Sequence, residues 1–358
     1  MDYFQTALYI LGSLFIIFTL IPFVRSDYWT FRVFEFPRAQ KLVIVFFILL
    51  AFIWYTGLNS GMQQLFSILL LLNLLYLVYQ VFPFTPLAPK QMLSATKKGT
   101  GEDFLSIMVA NVYQYNRRAD KCLHRIKKHA PDVVLLVETD QWWKEAVNEL
   151  EETYPHRVLH PIENTYGMML YSRLPLEGAQ VEYLIKEHIP SIHTRLILPS
   201  GEKVQLYCIH PEPPAPQENV RATERNAEIL TVGKMAKACK LPVVVCGDLN
   251  DVAWSHTTKL FLKTSGLLDP RRGRGFYNSF HAKLPLMRWP LDHFFCSREF
   301  RLIQLKRLEP IGSDHFPMFI RLSLEPQAKD EQEVMHTSPE EKEEVEEKIE
   351  KAEESKSH

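Results

Sequence analysis

The segment PVVVCGDLND, residues 242–251, decides the fold class of this chain. Its first half is continuously apolar, which predicts a strand covered on both faces, as in a sheet flanked by helices. A glycine, Asp248 and Asn250 follow at once. Because rigid strands fix the residues that follow them, α/β proteins place their chemistry at strand ends. The polar end of this segment is therefore a candidate site.

Other apolar segments carry polar residues at their ends in the same way. They are FLSIMVANV (104–112) with Asn111, VVLLVE (133–138) with Glu138, KVQLYCIH (203–210) with His210, HFFCS (293–297) preceded by Asp292, and FPMFIRLSL (316–324) preceded by Asp314 and His315. Each residue alone also has an ordinary interpretation, such as a turn for Asn111 or a helix N-cap for Glu138. The complete set and its order favour one shared site.

In order, these motifs are AN, LLVE, IHPEPP, GDLN, LDHFF and GSDH. They resemble the motifs of the endonuclease/exonuclease/phosphatase superfamily, also called DNase I-like. The resemblance covers about residues 103–323. It implies a two-layer β-sandwich flanked by helices. It also implies magnesium-dependent cleavage of a phosphoester bond.

The resemblance assigns a role to each residue. Asn111, Glu138 and Asp314 would bind Mg²⁺, or Mn²⁺ in its place, through the oxygen ligands that hard cations prefer. Alternatively, Asn111 would donate to the phosphate, and Asp314 would lie behind the groups that contact the cation. Asp248 would orient or deprotonate the attacking water, and Asn250 would donate to the phosphoryl group. His210 and His315 would donate hydrogen bonds to phosphoryl oxygens as charge builds. Asp292 would fix the ring of His315.

A basic cluster, Arg271, Arg272 and Arg274, precedes Phe276 and Tyr277. Residues 101–324 hold 29 basic and 26 acidic side chains, so the body has no large excess of positive charge. The cluster is either a solvated loop or a loop that binds the substrate phosphate. In the second interpretation it would suit a nucleic-acid backbone or a lipid headgroup.

Three apolar runs, at 3–24, 42–58 and 65–82, are each near the length that crosses a bilayer. Four basic residues lie between the first and second runs, at 25–41, and three follow the third run, at 90–98. The segment NSGMQQ, between the second and third runs, has no charge. The positive-inside rule then places the body after the third run in the cytoplasm.

The composition divides the remaining chain. We expect residues 84–102 to form a linker, 103–324 an α/β catalytic domain, and 325–358 an acidic tail with 13 acidic residues and 5 lysines. This composition favours disorder for the tail over the alternative, a frayed helix with Glu–Lys pairs four residues apart. Helical periodicity is present at 117–130, 141–152 and 217–238. The five cysteines form no C-x-x-C pair, which argues against a structural zinc site or a disulfide framework.

The sequence therefore predicts a multi-pass membrane protein, typical of a bacterial inner membrane, whose cytoplasmic domain is a magnesium-dependent phosphohydrolase. A phosphodiesterase acting on a lipid or membrane-derived substrate is the first interpretation, because the anchor holds the site beside the bilayer. A membrane-tethered nuclease is the second. A non-catalytic membrane interaction module on the same fold is the third.

Overall fold

A computed structural model describes residues 2–96 and 101–356 of the chain. Its α-helices are α1 (Tyr3–Leu20), α2 (Trp29–Arg32), α3 (Arg38–Thr56), α4 (Gly61–Val81), α5 (Ala119–His129), α6 (Gln141–Ala146), α7 (Leu150–Thr153), α8 (Thr223–Ala238), α9 (His256–Ser265) and α10 (Pro339–Lys356). Its strands are β1 (Phe104–Asn111), β2 (Val133–Val137), β3 (His156–His160), β4 (Met168–Ser172), β5 (Leu176–Glu182), β6 (Ser191–Ile197), β7 (Lys203–Cys208), β8 (Val243–Asp248), β9 (Asp292–Cys296), β10 (Phe300–Arg307) and β11 (Met318–Leu324).

The strands form two sheets that pack face to face. One sheet has six strands in the order β10-β11-β1-β2-β4-β3, and the other has five in the order β5-β6-β7-β8-β9. β1 and β2 are parallel, as are β7 and β8, so each sheet has a parallel pair near its centre. This architecture confirms the predicted α/β two-layer sandwich. β5, β6 and α9 were not predicted from the sequence.

Alternate residues of the central strands face two different cores, as the period of a strand requires. Leu105, Ile107 and Val109 of β1 join Val244 and Cys246 of β8 in the core between the sheets. Met108 and Ala110 instead face α5 and α6 on the outer side of the six-stranded sheet. The outer side of the five-stranded sheet is covered by α8, α9 and α10. Burial on both sides explains why these strands read as continuous apolar runs.

Three helices are long and apolar enough to cross a membrane: Tyr3–Phe23, Arg38–Thr56 and Gly61–Phe84. They pack on one another through α1–α3 and α3–α4 contacts, with Val45, Phe52 and Leu70 fully buried between them. The remaining surfaces of these helices carry many exposed large apolar side chains. A bilayer would cover such surfaces.

The expected linker is part of the body over the residues that the structure describes. Met92 is buried in the core between the sheets. Leu93 N–H donates to Gln332 Oε1 at 2.6 Å, and Ala95 N–H donates to the Leu302 carbonyl at 2.9 Å. Residues 97–100, where we expected flexibility, lie outside the described residues.

The prediction of a disordered tail is wrong for α10, which is helical and packs on α8 and α9. Val345, Ile349 and Ala352 recur at spacings of three and four residues, so they form one buried stripe. Lys234 and Lys263 pair with Glu346 and Glu341 of the tail. The acidic composition concealed this short apolar stripe.

We predict that Ile349→Asp detaches α10, because the variant places an unpaired carboxylate in an apolar contact. Limited proteolysis of the full-length protein should then cut within 339–356 at least about tenfold faster, as expected for a loss of more than 1.4 kcal/mol in docking. Glu350→Asp changes an exposed neighbour and should leave the cleavage rate unchanged. Equal rates in wild type and Ile349→Asp would contradict the packing of α10.

Candidate active site

The chain topology brings the polar strand ends to one edge of the sandwich. Glu138 follows β2 at the same edge as Asn111 of β1, because the two strands are parallel. His210 follows β7, which is parallel to β8, so it lies near Asp248. β9 is antiparallel to β8, and its register sets Asp292 directly opposite Asp248. His315 precedes β11, which is antiparallel to β1.

The backbone around Asp248 adopts conformations that constrain the sequence. Gly247 has φ +145°, and a Cβ there would lie 1.9 Å from the Ile209 carbonyl oxygen. Only glycine fits a backbone that approaches its neighbour so closely. Asn250 and Glu138 have φ values of +49° and +59°, in the left-handed region that few residues adopt. These turns aim the side chains toward the edge of the sheets.

Asn111 joins the two halves of the cluster. Its Nδ2 donates to Glu138 Oε1 at 2.6 Å and to Asp248 Oδ2 at 3.0 Å, and its Oδ1 accepts from Tyr113 N–H at 2.9 Å. The Tyr113 bond fixes which amide atom faces the carboxylates. Asn111 therefore presents its NH₂ group, and not the oxygen ligand that we predicted for a cation.

His315 lies between two buried aspartates. Its Nδ1 is 2.8 Å from Asp292 Oδ2 and 3.5 Å from Asp248 Oδ2. Burial alone would lower the pKa of His315, but the two carboxylates raise it to about 10. Burial alone would raise the pKa of Asp248, but His315 and the Asn111 hydrogen bond hold it below its usual value. The arrangement is a protonated imidazole flanked by carboxylates.

Glu138 and Asp314 lie on the more open side of the same cluster. Burial raises the pKa of Glu138 to about 7, against the Asn111 hydrogen bond and the charge of His315, while Asp248 and Asp314 raise it further. Asp314 is half-buried, and its carboxylate accepts from Ser313 Oγ at 3.2 Å. Its backbone carbonyl accepts from Ala282 N–H at 2.6 Å. Both carboxylates keep oxygen atoms for a further ligand.

His210 and Asn250 complete the predicted set. His210 is buried, its Nδ1 has no hydrogen-bond partner among residues 2–96 and 101–356, and its ring lies 5.5 Å from that of Tyr166. Burial lowers the pKa of His210 to about 4, so the ring is neutral at pH 7. Asn250 N–H donates to Asp248 Oδ1 at 3.0 Å, while its Nδ2 donates to the Pro211 carbonyl at 3.0 Å.

The predicted phosphate-binding arginines make structural contacts instead. Arg271 is buried, pairs with Asp269 at 2.7 Å, and its Nη2 lies 2.7 Å from His293 Nδ1. Arg274 donates to the Pro270 and Met92 carbonyls, at 3.2 and 2.6 Å. Arg272 lies over the Phe84 ring. A Cβ at Gly273 would lie 2.6 Å from the Lys90 nitrogen and the Pro89 oxygen, so this glycine lets the loop pack closely on the segment 83–92.

Three positioning residues were not identified from the sequence. Ser279 Oγ accepts from the Asp292 N–H at 3.0 Å, and the Phe280 ring lies 4.9 Å from the His315 ring. Arg225 Nη1, from α8, donates to the Asn250 carbonyl at 2.8 Å. Ser279 and Phe280 lie in an irregular segment without periodicity. Arg225 is one of several charged residues of α8, and its burial depends on tertiary packing that the sequence does not show.

The site has the chemistry of a divalent-cation site. Asp248, Asp292 and His315 place ligand atoms within 4.8 Å of one another. Asp292 Oδ1 is buried and receives no hydrogen bond from the part of the chain that the structure describes. Glu138 and Asp314 add two carboxylates, so the negative charge of the cluster exceeds the single positive charge of His315. Because the protonated His315 ring is a poor ligand, the carboxylates are the better candidates to hold the cation.

The site combines a cluster of carboxylates, a buried Asp–His pair and a strand-end Asn at the edge of two packed sheets. This combination is typical of one class of protein, the cation-assisted hydrolases of phosphoesters. The profile of the Endonuclease/Exonuclease/phosphatase family matches residues 108–315. The chain belongs to that family. The comparison with curated proteins finds no match.

Solved structures agree on the fold. D. rerio TDP2 complexed with single-strand DNA product is 17% identical, with a TM-score of 0.52, and the match covers 62% of this chain and 99% of that one. An endonuclease/exonuclease/phosphatase from Bacteroides vulgatus is 15% identical, with a TM-score of 0.51, over 62% and 99%. One from Beutenbergia cavernae is 17% identical, with a TM-score of 0.50, over 62% and 72%.

We predict that Gly247→Ala destabilises the fold by about 3 kcal/mol or more, because the methyl group meets a backbone oxygen and not a movable side chain. Chemical denaturation of the full-length protein in detergent would measure the loss. Gly61→Ala is the control, since nothing lies within 4 Å of its added methyl group. A fully stable Gly247→Ala would show that the segment after β8 takes another path.

Proposed function

We propose that this protein is a membrane-anchored, magnesium-dependent phosphodiesterase. The observation that carries the proposal is the direct contact chain from Glu138 through Asn111 and Asp248 to His315 and Asp292, at one edge of the sandwich. Membership in a family of phosphoester hydrolases supports the reaction class. Four carboxylates around one imidazolium support the use of a divalent cation.

Glu138 and Asp314 would hold the cation, which stabilises negative charge on the phosphoryl oxygens. Asp248 remains ionised in this surrounding and would accept a hydrogen bond from the attacking water, so that the water points at phosphorus. Asn111 holds Asp248 and Glu138 in one fixed relation. The carboxylates of Asp248 and Glu138 would therefore keep a constant separation during the reaction.

His315 and His210 would act on the phosphoryl group from two directions. His315 is held by Asp292 and carries a proton, so its free ring edge can donate to an oxygen that gains charge. His210 is neutral and can donate from one ring nitrogen only. Asn250 completes the donors from the turn after β8. These donors favour the charge-rich transition state over the substrate.

We predict that Asp248→Asn lowers the rate of magnesium-dependent hydrolysis of a soluble diester such as bis(p-nitrophenyl) phosphate by about 10³-fold. The amide keeps the shape of the side chain but accepts a proton far less readily. The assay uses the full-length protein in detergent, with chelator and added magnesium as separate arms. Asp120→Asn removes an exposed carboxylate on α5 and should leave the rate unchanged.

Undiminished hydrolysis by Asp248→Asn would refute the role of this residue. A wild-type protein that binds magnesium but hydrolyses no phosphoester would instead favour the non-catalytic module.

The contacts of the loop between α1 and α3 support a site on the same side of the bilayer as this loop. The loop docks on the catalytic body: the Asp27 carbonyl accepts from Ala222 N–H at 2.7 Å, and Arg38 donates to the Trp254 carbonyl at 2.6 Å. Three spans would put this loop and the body on the same side, in agreement with those contacts. The positive charges of both segments support the cytoplasmic side.

A rim segment, residues 281–288, supports a substrate at the bilayer surface. Leu284, Leu286 and Met287 are exposed, Leu286 by 85%. The Leu286 carbonyl accepts from Gln40 Nε2 at 3.1 Å, at the start of the second span. The same segment contacts Asp314 through Ala282. It therefore connects the site to the level of the membrane, and its apolar tip would enter the bilayer surface.

A nuclease is the alternative, which aromatic and basic residues outside the rim segment support. Tyr115 is exposed by 64%, and the Arg117 guanidinium lies 4.6 Å above the Trp142 ring. Tyr115 and Arg117 follow Asn111 in the chain, and Trp142 follows Glu138. These three residues therefore lie at the same edge of the sandwich as the site. Exposed aromatic rings beside cations suit stacked bases and phosphates. The TDP2 structure with a DNA product belongs to the same fold.

We predict that changing Leu284, Leu286 and Met287 together to serine slows hydrolysis of a phospholipid in vesicles by about tenfold or more, and leaves hydrolysis of the soluble diester unchanged. The loss follows from the apolar area that no longer enters the bilayer. Tyr183→Ser is a control for an exposed apolar residue outside the rim.

Equal losses of activity on both substrates would show that the rim segment supports hydrolysis itself and not the contact with the bilayer. Rapid, steeply salt-dependent cleavage of single-stranded DNA, with no cleavage of lipid, would favour the nuclease.

A further inference from the structure

A cavity of about 480 Å³ lies outside the candidate active site, where three parts of the molecule meet. The ends of the first and third spans contribute Pro22, Phe23, Tyr76 and Gln80. The body contributes residues 254–259, at the start of α9, and α10 contributes residues 344–351. No residue of the contact chain around Asp248 lines it. The cavity is therefore a separate place for a ligand.

The wall of this cavity carries more positive than negative charge. Its cationic side chains are Arg25, Arg32, Arg38, Lys259, Lys348 and Lys351, and its anionic side chains are Asp27, Glu35, Glu344 and Glu347. Most of the anions already pair within the protein. Asp27 pairs with Lys351 at 2.6 Å, and Glu35 pairs with Arg32 at 3.3 Å. After these internal pairs, the cavity wall keeps an excess of positive charge.

Lys259 is the clearest example of this excess positive charge. Across the two described stretches of chain, its Nζ has no hydrogen-bond acceptor and no carboxylate within 4 Å, although it lies 5.6 Å from the centre of the Tyr79 ring. Burial and the neighbouring Arg38, Arg272 and Lys263 lower the pKa of Lys259. A half-buried ammonium group among other cations is unfavourable unless an anion offsets it.

We propose that this cavity binds a phosphate group, and that the headgroup of an acidic phospholipid supplies it. The shape and charge suit a phosphate, because several cationic donors converge on one space. The position selects the lipid. Phe23, the last residue of the first span, is 60% exposed, and the Tyr76 ring lies 5.3 Å away, so the opening lies where headgroups and acyl chains meet.

A bound headgroup would hold three separate parts of the chain together. Arg25 belongs to the loop between the first two spans, Lys259 to the catalytic body, and Lys348 to α10. A phosphate between them would offset the repulsion of their charges and so stabilise the docked arrangement. Because Arg38 also donates to the Trp254 carbonyl, the occupied cavity would support the segment that follows Asn250.

Thermal unfolding of the full-length protein in a neutral detergent tests this site. The ligands are inorganic phosphate, short-chain phosphatidylglycerol and short-chain phosphatidylcholine, at matched ionic strength. We expect phosphatidylglycerol to raise the unfolding midpoint by several degrees and phosphatidylcholine to do so much less. Inorganic phosphate that raises it equally would show that the cavity takes free phosphate as well, which keeps the phosphate site and removes the preference for lipid.

Lys259→Gln should weaken the apparent affinity for phosphatidylglycerol at least tenfold, while the unliganded variant should be as stable as wild type, since this ammonium loses no ion pair. Arg25→Gln, an exposed position, should weaken the affinity in the same direction. Lys127→Gln removes one positive charge from α5 and is the matched control. The proposal is overturned if no phosphate-bearing ligand shifts the midpoint, or if the shift is the same in Lys259→Gln and in wild type.

Discussion

The antiparallel register of β8 and β9 sets Asp248 opposite Asp292, and the whole site depends on that pairing. Two buried carboxylates so close together repel each other unless a positive charge lies between them. His315 supplies it, with Nδ1 within 2.8 and 3.5 Å of the two oxygens. The same charge keeps Asp248 ionised, although it is fully buried. The site is thus a balance of like and opposite charges that a regular pair of strands holds in place.

The second constraint is that the two sheets contribute different functions. β1 and β2 carry Asn111 and Glu138, whereas β8 and β9 carry Asp248 and Asp292. Asn111 is the only contact described above that joins a carboxylate of one sheet directly to a carboxylate of the other. Its amide is fixed in turn by Tyr113 N–H. Packing of the sheets therefore sets the geometry of the site, and any change in the core between them would be felt at this amide.

The sequence predicted much of this arrangement because its central strands are buried on both sides and end in polar residues. The sequence analysis did not predict the strands β5 and β6. β5 carries Glu177, Gly178 and Gln180 and is half exposed, so it has no continuous apolar run. The arginines at 271–274 were misjudged because burial is a tertiary property that charge patterning does not reveal. Arg271 reaches Asp269 and His293 only when distant strands meet. The tail was misjudged for the opposite reason, since three apolar residues suffice to dock a charged helix.

The long apolar helices dock on the body next to the candidate site. Trp254 Nε1 donates to the Glu35 carbonyl at 2.8 Å, and its own carbonyl accepts from Arg38. Trp254 lies four residues after Asn250, in a segment whose Asp251 carbonyl is held by His293 at 2.8 Å. One short segment is therefore fixed by the body on one side and by residues 35–38, at the start of the second long apolar helix, on the other. The turn that carries Asn250 has little freedom while both contacts hold, so the apolar helices are part of the support of the candidate site.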